Sequence, residues 1–279
     1  MVNTGGVRVV AVLAVRNEQR FIGSAIDHLV GQGVDVYLLD NGSDDDTVDI
    51  ARERAGDQLV GLERMPFDGV FRWRELLRRK EELFREIDAD WVMHVDADEH
   101  HLPPPGFDSL ADAIAAVDAE GYSQIEFDEF TFLPTVEEPD HDHPDFARTL
   151  RSYYHFKPGP LHLVRAYKLG AGPIEIEWSG GHRPRETGGR GRSPSVFAMR
   201  HYVFLSAAHA AIKYGSRRFD DAEVAEGWHT WRTTVPAEVP LPPARLLCRD
   251  TGLRPLDRSD PWSRHWLDCL RDAACLPAS

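Results

Sequence analysis

Trp91-Val92-Met93-His94-Val95-Asp96-Ala97-Asp98-Glu99 decides how the chain is read. Apolar and β-favouring residues run straight into a tight cluster of acids. A continuous apolar run of this length between polar flanks predicts a buried strand of a parallel sheet. Ligands of open α/β sheets bind beyond the carboxyl ends of the strands, so Asp96 and Asp98 fall where a ligand sits. Two carboxylates one residue apart suit a hard divalent cation such as Mg2+ or Mn2+, which takes oxygen ligands. D-x-D alone also describes a solvated acidic turn, so its weight depends on what surrounds it.

Working outward toward the N-terminus, the same plan recurs. Arg8 to Val15 (RVVAVLAV) predicts a first strand, which delivers Arg16-Asn17-Glu18 at its carboxyl end. Phe21, Ile22, Ala25, Ile26, Leu29 and Val30 repeat at helical spacing until Gly31 and Gly33 stop the run. Val34 to Leu39 predicts a second strand, which delivers Asp40-Asn41-Gly42-Ser43 to the same edge. Asp44-Asp45-Asp46-Thr47 opens a further helix, with acids where the positive end of the helix dipole favours them. Leu59 to Leu62 predicts a short third strand. Arg74 to Ile87 predicts a helix with Leu76, Leu77, Leu83, Phe84 and Ile87 inward, feeding the strand that ends at Asp96. This β-α-β-α-β-α-β order predicts an α/β fold: an open, mostly parallel, Rossmann-type sheet flanked by helices.

Composition narrows the function. A net charge of −14 disfavours a general nucleic-acid or anionic-membrane partner. Four of the 32 basic residues are Lys (Lys80, Lys157, Lys168, Lys213) and the rest are Arg, a bias that GC-rich coding explains as readily as phosphate binding. No apolar run approaches the ~20 residues that span a bilayer, and Met1 to Gly6 lacks the regions of a signal peptide. The expectation is a soluble cytoplasmic protein. Cys248, Cys269 and Cys275, without metal-type spacing, read as reduced thiols. The absence of G-x-G-x-x-G after the first strand, and of G-x-x-x-x-G-K-[ST] anywhere, disfavours dinucleotide and P-loop sites.

Ala14-Val15-Arg16-Asn17-Glu18, Gly31-Gln32-Gly33-Val34-Asp35, Asp40 to Thr47, and Ala89-Asp90-Trp91-Val92 leading to Asp96-Ala97-Asp98-Glu99 together resemble bacterial family 2 glycosyltransferases of the GT-A fold. The resemblance covers the first hundred or so residues. It implies a nucleoside diphosphate sugar donor (UDP, GDP or dTDP), a hydroxyl-bearing acceptor, and Mn2+ or Mg2+. Val15, Asn17, Glu18 and Asp40 would hold the nucleoside. Asp96 would touch ribose or metal, and Asp98 would coordinate the metal at the diphosphate. Lys80, Ala97, Lys213 and Arg217 complete the expected donor-binding set. The physics is consistent, since a bound cation stabilises the charge on a departing diphosphate.

The later chain carries weaker signals. His101 to Gly106 reads as a stiff connector, followed by a helix with Leu110, Ile114 and Val117 inward. Ser123 to Phe132 alternates like a half-buried strand, and Pro134 to Pro144 reads as a surface loop whose His141 and His143 are weak metal candidates. Leu161 to Lys168 and Ile174 to Trp178 are predicted strands. The Gly- and Arg-rich stretch from Gly180 to Ser195 is either a surface loop or a lid over a diphosphate. Arg200-His201-Tyr202 to Ser206, Lys213, Arg217 and Gly227-Trp228-His229 continue the resemblance. His201 or His182 is the expected third metal ligand. An inverting transfer needs a carboxylate base, with Asp128, Glu129, Glu175 and Glu177 as candidates; on a strand, Glu175 and Glu177 would share a face. Pro236 to Pro243 reads as a linker, and Trp262 to Cys275 as a terminal helix that packs on the core or forms a homodimer contact.

The expected organisation is 1–100 for donor binding, 101–234 for the acceptor side of the same domain, and 235–279 for linker and helix. Three other functions fit less well. A nucleotidyltransferase would want a glycine-rich basic loop near the N-terminus. A non-catalytic nucleotide-binding member would not need Asp40, Asp96 and Asp98 intact. A zinc hydrolase on His94, Asp96, His100 and His101 lacks well-spaced ligands.

Overall fold

The computed structural model describes residues 6–159, 163–185, 188–215, 217–229, 232–233, 235, 238–252 and 255–269. The chain forms two compact units: Met1–Phe67, Trp73–Phe127 and Leu161–Met199 make the first, and Asp68–Arg72, Asp128–Pro160 and Arg200–Ser279 the second.

The first unit is the predicted open α/β sheet, largely parallel and flanked by helices. Its strands are β1 (Val9–Val15), β2 (Asp35–Asp40), β3 (Leu59–Arg64) and β4 (Trp91–Val95), which run parallel in the order β3-β2-β1-β4. β8 (Val164–Lys168) adds antiparallel to β4, and the start of β6 (Gln124–Phe132) adds antiparallel to β8. Val10 to Leu13 and Trp91 to Met93 are fully buried, as a central parallel strand covered on both faces requires. Helix α1 (Ile22–Gly31) buries Ile22, Ala25, Ile26 and Leu29, the stripe its spacing predicted. Helices α2 (Thr47–Ala55) and α4 (Leu110–Ala119) and the longer α3 (Trp73–Glu86) complete the layers. α3 buries Leu76, Leu77, Leu83 and Phe84, with Lys80 in the middle of that stripe.

The second unit is mostly irregular around a small antiparallel sheet. The later part of β6 pairs with β7 (Ser152–Phe156), with Glu129 opposite Phe156 and Phe132 opposite Tyr153. Its core gathers Leu133, Tyr154, Phe156, Phe204, Tyr214 and Trp266. Several sequence expectations changed. Ile174 to Trp178 is not a strand but a loop entering a short 3-10 turn, Glu177–Ser179. The cause is local: Glu81 Oε1 accepts the backbone N–H groups of Ile176 (2.6 Å) and Glu177 (2.7 Å), so those donors are unavailable to a neighbouring strand. The first two residues of the expected connector, His101 and Leu102, instead belong to a strand, β5 (Glu99–Leu102), and β7 is a strand that the sequence reading did not name. Of the terminal helix only Trp266–Cys269 lies within the described residues; Leu270 and Cys275 lie outside them.

Gly61 on β3 faces Tyr37 on β2, and a Cβ there would sit 2.2 Å from the Tyr37 ring. Gly61→Val should therefore displace that ring and cost about 1–3 kcal/mol in urea unfolding. Unchanged stability would show that the ring does not pack on the glycine.

Candidate functional site at the carboxyl edge of the parallel sheet

Strand register brings the predicted residues to one edge. Val15, the end of β1, lies opposite Asp40, the end of β2, while Leu13 lies opposite Val95, the residue before Asp96. Parallel strands leave the sheet in the same direction, so Arg16-Asn17-Glu18, Asp40 and Asp96-Ala97-Asp98 all emerge there. The loops after β1 and β2 are tied together. Asn17, at a left-handed φ of 54°, donates to Asp44 Oδ1 (2.6 Å) and accepts from the Asp44 N–H (3.0 Å). The Glu18 N–H donates to Thr47 Oγ1 (2.8 Å), and Arg16 bonds the Gly42 carbonyl while lying over the Phe67 ring.

Asp40 is fully buried. Its Oδ1 accepts the Ser43 N–H (3.0 Å), which closes the loop. Its Oδ2 makes no hydrogen bond among the described residues and has Arg64 Nε at 3.3 Å as its ionic neighbour.

Asp96 is held from several sides. Its N–H donates to Glu99 Oε2 (3.1 Å), its Oδ2 lies 3.7 Å from Arg165 Nη2, and its Oδ1 lies 4.0 Å from Lys80 Nζ. Arg165 also bonds Glu99 Oε1 at 2.6 Å, with both side chains buried. Lys80 is wholly inside the protein and donates to the Val95 carbonyl (3.1 Å) and to His94 Nδ1 (3.1 Å). Burial, partly offset by Asp96, pushes the Lys80 ammonium down to about 8. Burial, together with Lys80 and Arg165, holds His94 well below its ordinary value, so it accepts at Nδ1 as the neutral ring. Sequence reading missed Arg165, and it did not foresee that Glu99 and His94 support Asp96 and Lys80. Lys80 carried a signal, because it falls in phase with the apolar stripe of α3.

A divalent ion needs oxygen ligands in number, and among the described residues no group of three or more His, Cys, Asp or Glu could hold one. Asp96 has two cations nearby, which disfavour a third charge on it. Mg2+ is ordinarily bound through one or two carboxylates with substrate phosphates and water completing the shell. Half-buried Asp98 fits that sparse arrangement. His182 belongs to the same unit, and its carbonyl accepts the Val164 N–H. His201 lies in the second unit, with Nδ1 2.6 Å from Glu129 Oε1.

The base candidates are all ion-paired. Glu175 pairs with Arg185 (3.2 Å), and Glu177 with Arg74 (2.9 Å) and Arg78 (3.6 Å). In the second unit, Asp128 meets Lys157 (3.0 Å) and Arg258 (2.7 Å). Burial alone would raise the Asp128 carboxyl, but hydrogen bonds from His155, Arg258 and Lys157 bring it well below the usual range. Also in the second unit, Lys213 donates to the Val203 carbonyl (3.3 Å), and Arg217 lies beyond the end of α6 (Ala207–Gly215), over the Phe71 ring.

Arg165→Met strands a buried Glu99 and should cost about 3–5 kcal/mol, most of it recovered by adding Glu99→Leu. Equal losses in the single and double variants would contradict the pairing. Folded Lys80 sheds its proton near pH 8, whereas the unfolded side chain does so near 10.5. Its charged form therefore opposes folding below about pH 8, and that opposition fades as pH rises to the unfolded value. Denaturation should show Lys80→Met gaining more stability over wild type at pH 7 than at pH 10.5. A difference that stays flat across this window would refute the buried ammonium.

No protein-family model matches the chain, and no curated protein matches it. Among solved structures, S. aureus TarS in complex with UDP-GlcNAc is 13% identical over 70% of this chain and 58% of that one, with a TM-score of 0.37. Glucosyl-3-phosphoglycerate synthase from Mycobacterium tuberculosis, in complex with Mg2+ and UDP, is 27% identical over 34% of each chain, with a TM-score of 0.25. A mycobacterial protein is 20% identical over 75% of this chain and 72% of that one, with a TM-score of 0.36. The chain spans 37% of one TarS chain and 58 to 61% of the shorter TarS 1–349 chains. These likenesses are loose, and the functional reading rests on the residues of this chain.

Proposed function

We propose that the chain is a glycosyltransferase of the GT-A type, moving a sugar from a nucleoside diphosphate sugar to an acceptor hydroxyl. One observation carries this reading: the β1, β2 and β4 register brings Asn17, Asp40 and the Asp96–Asp98 pair out on a single sheet edge. In this reading Val15, Asn17 and Glu18 flank the nucleoside. Asp40 Oδ2 accepts from a base N–H. Asp96 accepts from ribose hydroxyls, with its carboxylate oriented by Lys80 and Arg165 and its backbone by Glu99. Asp98 is the protein ligand to Mn2+ or Mg2+ at the diphosphate. The ion, when bound, neutralises the leaving diphosphate.

The acceptor proton goes to a carboxylate. Of Asp128, Glu175 and Glu177, we favour Glu177, because its segment packs against β4 in the same unit as Asp96: a Cβ at Gly181 would lie 2.9 Å from His94 Nε2. Its pairing with Arg74 at 2.9 Å fixes where its carboxylate sits. Among the described residues no helix is long and apolar enough to cross a membrane.

Calorimetry with UDP tests the proposal. Mn2+ should tighten UDP binding by about tenfold or more, and Asp98→Ala should abolish that gain without unfolding the chain. UDP binding indifferent to both Mn2+ and Asp98→Ala would sink it. Release of pyrophosphate from a nucleoside triphosphate and a sugar phosphate would instead favour a nucleotidyltransferase.

A further inference from the structure

The acidic chain carries a local basic surface beside its candidate site. The 3-10 turn Glu177–Ser179 leaves Trp178 41% exposed, one of the few large apolar side chains so open. Two guanidiniums lie near its ring, Arg183 at 5.2 Å and Arg185 at 5.9 Å from the centroid. The turn is preorganised: Ser179 Oγ donates to the Arg183 carbonyl (2.6 Å) and accepts the Arg183 N–H (3.0 Å). Arg74 and Arg78 reach the same turn through Glu177. Four guanidiniums thus face three carboxylates, Glu175, Glu177 and the Glu81 that holds the turn's backbone, which leaves a local positive excess of one in a chain of net charge −14. Among the described residues Arg183 has no carboxylate partner.

The turn is anchored to the candidate site. The Gly180 carbonyl accepts Trp73 Nε1 (3.0 Å), and the Gly181 carbonyl accepts Arg165 Nη1 (3.3 Å), the same side chain that approaches Asp96. An exposed indole offers a flat apolar face to the C–H side of a pyranose, and flanking guanidiniums offer paired donors to phosphate, sulfate or carboxylate. A purely neutral sugar would not need the guanidiniums. A small inorganic anion would not need the indole.

We propose that Trp178, Arg183 and Arg185 form the acceptor platform, and that the acceptor is an anionic glycan. Its role as acceptor site rests on the transferase reading above; the binding itself does not. The rest of the acidic surface repels such a polymer, so the platform also sets where it lands.

The test uses the full chain and two probes, short dextran sulfate and neutral dextran of equal length, with UDP titrated into the same samples. Wild type should bind dextran sulfate, more weakly as salt rises, and ignore neutral dextran. Trp178→Ala and Arg183→Gln should each weaken dextran sulfate by about tenfold and leave UDP affinity unchanged. Arg52→Gln, an exposed arginine on α2 paired with Asp49, should change neither. Equal dextran sulfate binding by wild type and both platform variants overturns the proposal, as does an equal loss in Arg52→Gln or no preference over neutral dextran. If UDP fails to bind wild type while the platform variants still lose dextran sulfate, the transferase reading falls and the anionic-glycan surface stands.

Discussion

Parallel pairing of β1 with β2 on one side and β4 on the other is the constraint on which the rest of the first unit depends. Register in a sheet with both faces covered is tightly specified, because a slip of one residue turns every side chain to the opposite face. Here the slip would take Val15 out of step with Asp40 and Leu13 out of step with Val95, so the strand ends would no longer reach one edge together. The carboxyl edge is polar because three apolar strands end within a residue or two of one another, and each is followed by residues that cannot be buried without a partner.

Those residues also carry a thermodynamic cost, which the fold offsets locally. Arg165, Glu99, Lys80 and His94 lie almost entirely inside the protein. Such charges are tolerated only when each is paired or hydrogen-bonded. Glu99 is satisfied by Arg165 and by the Asp96 N–H, while Lys80 is satisfied by a carbonyl and a neutral imidazole. An apolar replacement of the whole cluster would make a simpler core. The cluster instead places fixed positive charge beside Asp96, which is what the proposed donor-binding role of that edge calls for.

The second unit answers a different physical problem. Its small antiparallel sheet buries Phe130 and Phe132 on one strand face, and aromatic contacts cover them from several directions. Asp128 is on this sheet, clamped by Lys157 and Arg258, and Glu129 on the opposite strand face is bonded to His201. Both acids look free in a linear reading of SQIEFDEFTF. In the folded chain each is paired by a residue from distant sequence, with Arg258 lying 130 positions away.

The alternation of apolar runs with amphipathic helices determined the α/β class, the order β1-α1-β2-α2-β3-α3-β4 and the position of Asp40, Asp96 and Asp98 at or just after strand ends, because those features rest on local periodicity and on what ends each run. Lys80 was partly legible, since it falls in phase with Leu76, Leu77, Leu83 and Phe84. Only the tertiary structure decided the partners of those acids. Arg165 reaches Glu99 across 66 positions, and Glu81 takes the backbone amides that would have made Ile174 to Trp178 a strand, from 95 positions away. Propensity carries no information about a carboxylate arriving from a remote helix, and the free energy of a satisfied buried donor outweighs the modest β-preference of Ile-Glu-Ile-Glu-Trp.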